Sequence, residues 1–283
     1  MTWMMTARAM HAAMLWLAGA ACVLLSGAAR ADAVDEWNQI ALEMTATSSP
    51  SAGHALYTMA TVHAAMFEAL NFIEARYVQR YTVRPSGLQG ASPNAAAATA
   101  AHDVLARIFP GQEQALKDRL QLSLDAMRDD RGSATGGIAG KSVAAIVWTA
   151  RGDKTAAATQ APPTPSASPA RDAPDDPVSR INPRAWNGVL VALGAATNLS
   201  TLERARLYAM VSLAAEEAYI EASRADARPG AARSAAPCAP CAVQAAVAII
   251  LEGQLNDMPR VDGRAIGAAI GRRVFLEYYT PAP

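Results

Sequence analysis

The stretch from His54 to Tyr77 (HALYTMATVHAAMFEALNFIEARY) is apolar nearly all round when wound as a helix. A helix without a polar face must be surrounded by other elements, so this stretch predicts the central element of a packed core. The rest of the chain supports a helical surround. Alanine is abundant and β-branched and aromatic runs are short, which favours closely packed helices. The fold class expected is therefore all-α, a helical bundle or bundles.

Further helices are expected at Val34–Ala46, Asn94–Phe109, Gln112–Met127 and Gly136–Ala150. Ser92-Pro93 marks the start of the second of these, with Ser92 as N-cap and Pro93 at the first helical position. From Arg151 to Arg180 the character changes to Pro-, Ser-, Thr- and Asp-rich pieces (APPTPSASPARDAPDDP) with no apolar period, the composition of a linker. Helical patterning resumes near Pro183. Thr201-Leu-Glu203-Arg204 opens a strong helix through Arg224, and Cys241–Leu255 and Asp262–Tyr279 complete the set. The expected organisation is residues 1–33 as a leader, 34–152 as one helical unit, 153–180 as a linker and 181–283 as a second unit. Leu56-Tyr57-Thr58-Met59 and Leu207-Tyr208-Ala209-Met210 are faintly alike, by duplication or by chance among Ala-rich helices.

The first residues read as a secretory signal. Arg8 supplies positive charge, Met14–Gly27 is uncharged and apolar, and small residues place cleavage after Ala31 or Ala33. The apolar run is short for a membrane span of about 20 residues, the alternative reading, and no later segment is long enough to span. An exported, periplasmic or extracellular protein is expected. Lys+Arg and Asp+Glu balance at 25 each, so charge gives no reason to expect a nucleic acid as partner.

Several segments, in order and spacing, resemble the vanadium-dependent haloperoxidase branch of the type 2 phosphatidic acid phosphatase (acid phosphatase) superfamily. They are Val34-Asp35-Glu36-Trp37-Asn38, Met59–Asn71, Tyr77, Ala95–Pro110, Gly140–Ala144, Trp186-Asn187 and Leu202–Tyr219. The resemblance implies a helical bundle around a site for vanadate or phosphate, and relatives that often form homo-oligomers. Such a site needs Lys and Arg to neutralise the oxyanion, a helix N-terminus to cradle it, and two His, one bonding to phosphorus or vanadium and one moving protons.

The family pattern K-x-x-x-x-x-x-R-P falls at Arg228-Pro229, but Glu221 stands where the Lys belongs and no Lys follows Lys154. Arg228 is thus the remnant of the anion site, with Arg224 one helical turn from Glu221. The pattern P-S-G-H falls at Pro237-Cys238-Ala239-Pro240, so Ser, Gly and His are all replaced. Proline offers neither a side-chain proton carrier nor a backbone N–H. The third pattern, S-R-x-x-x-x-x-H, is missing between Leu255 and Pro259.

After the leader, the chain keeps three histidines, His54, His63 and His102, each read as structural because each lies in or at the start of an apolar helix. No catalytic residue, no bound metal and no cofactor is expected; vanadate or phosphate is implied by the resemblance alone. The expectation is a pseudoenzyme, with three alternatives. One is phosphatase or haloperoxidase chemistry from a non-standard site. Another is thiol–disulfide exchange through Cys238-Ala-Pro-Cys241 at a helix N-terminus. A chain too damaged to fold is the third. The two cysteines form a structural disulfide, a redox pair or free thiols; an oxidising compartment outside the cytosol permits the first.

Overall fold

The computed structural model describes residues 32–48, 51–81, 90–127, 131–159, 183–196, 199–226 and 239–252. These residues form eight α-helices and no sheet. They are α1 (Ala33–Ser48), α2 (Ala52–Glu74), α3 (Pro93–Ile108), α4 (Glu113–Ala126), α5 (Ser133–Thr159), α6 (Pro183–Ala196), α7 (Thr201–Asp226) and α8 (Ala239–Glu252), with a single 3-10 turn at Pro110–Gln112. The all-α class expected from the sequence is what the chain adopts.

α2 is the central helix. Its residues are buried continuously from Leu56 to Phe72, and α1, α3, α5 and α7 pack around it. α4 lies on α3, α8 lies on α7, and α6 rests more lightly than any other described helix, on α1, α2 and α7. One hydrophobic core extends from Ala33 to Leu251, drawing on helices from both sides of residues 153–180. No helix among the described residues is long and apolar enough to cross a membrane.

Helix ends follow local chemistry. The Ser51 hydroxyl accepts from the His54 N–H at 3.2 Å and starts α2. α2 stops at Glu74, three residues before the expected Tyr77. Ala75 turns into the left-handed region at φ 54°, and the Asn71 amide takes over both backbone groups of Tyr77 at 2.9 Å each. A side chain that satisfies the backbone outside the helix competes with continuing it. α7 opens at Thr201 as expected, with the cap on the residue before it. Ser200 is the cap, its N–H and hydroxyl both donating to Glu203 at 3.0 and 2.7 Å, while the Glu203 N–H points back at 3.4 Å. This is a capping box. The Ser200 hydroxyl, then its backbone N–H, hold the Glu203 carboxyl below the usual range.

α5 runs to Thr159, past residue 152 where the sequence pattern ends the first unit. Thr155 to Ala158 contains good helix formers and no proline intervenes before Pro162. Residues 160–180, the rest of the expected linker, lie outside the described residues, as do the leader and the expected helix at Asp262–Tyr279.

Ser92 caps α3 as its sequence suggests, accepting from the Ala95 N–H at 3.2 Å with Pro93 at the first position. Ser92→Ala removes this acceptor inside the core and is expected to cost about 1–2 kcal/mol, read as a lower midpoint in urea. An unchanged midpoint would show that the cap contributes nothing.

Candidate functional site

The densest constellation of reactive side chains lies inside the bundle, where α1, α2, α6 and α7 meet. His63, in the middle of α2, is completely buried. Its Nδ1 lies 2.7 Å from Ser212 Oγ on α7 and its Nε2 lies 2.9 Å from Asn38 Oδ1 on α1. Asn38 in turn exchanges two amide hydrogen bonds with Asn187 on α6, both 2.7 Å. With the amides so oriented, Asn38 Oδ1 is an acceptor only, so Nε2 carries the proton and the Ser212 hydroxyl donates to Nδ1. Burial lowers the imidazole pKa from 6.5 to about 3, opposed by the Tyr208 backbone carbonyl. The ring is therefore neutral under ordinary conditions.

Ser212, His63 and Asn38 stand in the order nucleophile, base, orienting group. Their surroundings are those of a packed core. Ser212 is only 2% exposed. It sits mid-helix, where the backbone N–H groups are spent on the helix and none remains to stabilise an oxyanion. What this arrangement does is join four helices.

Three further polar clusters lie among α1, α2, α5 and α7. Asp35 of α1 accepts from Tyr208 Oη and Arg204 Nη1 of α7, each at 2.6 Å. Arg151 of α5 reaches Glu216 of α7 at 2.5 Å and donates from Nε to Thr61 Oγ at 3.1 Å, with its guanidinium 5.8 Å from the Tyr57 ring centre. At the far end, Arg206 stacks 4.5 Å over the Tyr77 ring, and buried Glu68 accepts from the Arg80 N–H at 3.4 Å. Asp35 with Arg204, and Arg151 with Glu216, pair opposite charges across helix contacts.

The other histidines lie away from this seam. His54 meets Phe109 edge-on at 5.9 Å, and burial lowers its pKa. His102 is T-shaped to Trp37 at 6.1 Å, and its Nδ1 is 2.9 Å from Asp103. Of the residues singled out in the sequence, Arg228 and Cys238 lie outside the described residues. Cys241 falls in the first turn of α8, with its side chain outside them. Glu221 is on the outer part of α7 and pairs with Arg224 at 2.9 Å. The charge of Arg224 is thus engaged by Glu221. Among the described residues no group of three His, Cys, Asp or Glu is placed to hold a metal ion.

Sequence reading does not single out Asn38, Asn187, Ser212, Arg151 or Glu216. The signal that finds them is a polar residue within an apolar helical face, as with Ser212 between Val211 and Leu213. No protein-family model matches the chain, and neither a curated protein nor a solved structure is significantly similar to it.

Proposed function

We propose that this chain is an exported, non-catalytic helical protein related to the vanadium haloperoxidases and type 2 phosphatidic acid phosphatases, keeping their scaffold without their chemistry. The single observation that supports this best is how the polar residues of the resembling segments are used. Asp35, Asn38, His63, Asn187, Arg204, Tyr208 and Ser212 all come from those segments, and each bonds another helix of the bundle. The likeness therefore resides in residues that hold helices together. The positions where the family's reacting groups fall carry Glu221, Cys238 and Pro240.

An attacking nucleophile and its proton carrier act as a unit, so losing both His groups removes many powers of ten in rate. The purified protein is expected to show no turnover above blank with p-nitrophenyl phosphate, and none in dye bromination with peroxide, each with and without added vanadate. Turnover at rates typical of phosphatases or haloperoxidases overturns the proposal. Export is tested separately, by mass spectrometry of the secreted chain: a start at Asp32 or Val34 is expected.

A further inference from the structure

We draw no further inference here: the strongest candidate, the outward face of α5 on which Ile138 is 70% and Ile146 40% exposed, is an unpartnered apolar face, and nothing in the structure shows what covers it.

Discussion

Gly140→Ala is expected to destabilise the protein by about 3 kcal/mol or more, although alanine is the better helix former. A Cβ at Gly140 would stand 2.2 Å from the Ala96 carbonyl oxygen and 2.9 Å from the Ala96 Cα. Gly136, one turn earlier on α5, would place its Cβ 2.3 Å from the Ser92 carbonyl oxygen. The obstacle at both positions is the backbone of α3, which cannot rotate aside as a side chain would. The only relief is to separate α3 from α5, and that loosens the alanine face from Ala95 to Ala101 that the core depends on. For a chain of this size the melting temperature should drop by roughly 6–12 °C. A Cβ added at Gly152, on the same helix, would meet nothing within 4 Å. Gly152→Ala should stabilise by up to about 1 kcal/mol through helix propensity alone. Opposite signs at two glycines of one helix are the diagnostic result; a Gly140→Ala protein that melts with or above its parent would rule out the close crossing.

Arg151→Met should cost about 3–5 kcal/mol, because it leaves the Glu216 carboxylate buried without its guanidinium. The side chains of Arg151 and Glu216 are 3% and 4% exposed, so solvent cannot replace the lost partner. Arg151→Met combined with Glu216→Leu removes both charges and should regain most of the loss, ending within about 2 kcal/mol of the parent or above it. Thr61 keeps a partner in the double variant, since its hydroxyl already donates to the Tyr57 carbonyl at 2.8 Å. Chemical denaturation of the parent, both single variants and the double gives the coupling directly. If the double variant is as unstable as the sum of the singles, the two charges act independently and the pair is not the unit that joins α5 to α7.

The elements are legible in the sequence where their signals are local. Ser92-Pro93 announces the start of α3 because a hydroxyl cap and a fixed φ act within one turn of chain. The central place of α2 is legible because the helix lacks a polar face. The end of α2 is not, since the pattern of apolar residues continues through Ile73 while the Asn71 amide draws Tyr77 out of the helix. The α5 glycines carry no marker that separates Gly140 from Gly152, because what differs is the helix lying across them. The seam between α2 and α7 is not legible either. His63 reads as structural from its apolar helix, but its partners are Asn38, 25 residues before it, and Ser212, 149 residues after it.

The amino-acid sequence by itself determined that this chain is helical and which helix is innermost. Those properties depend on composition, periodicity and short-range capping, all of which act along the chain. Tertiary structure alone decided which polar residues meet, which glycines are indispensable, and that Arg151 and Glu216 answer each other within the core. Such pairings come from helices that approach across many residues of intervening chain, and the burial that makes each of them consequential exists only after the helices have packed.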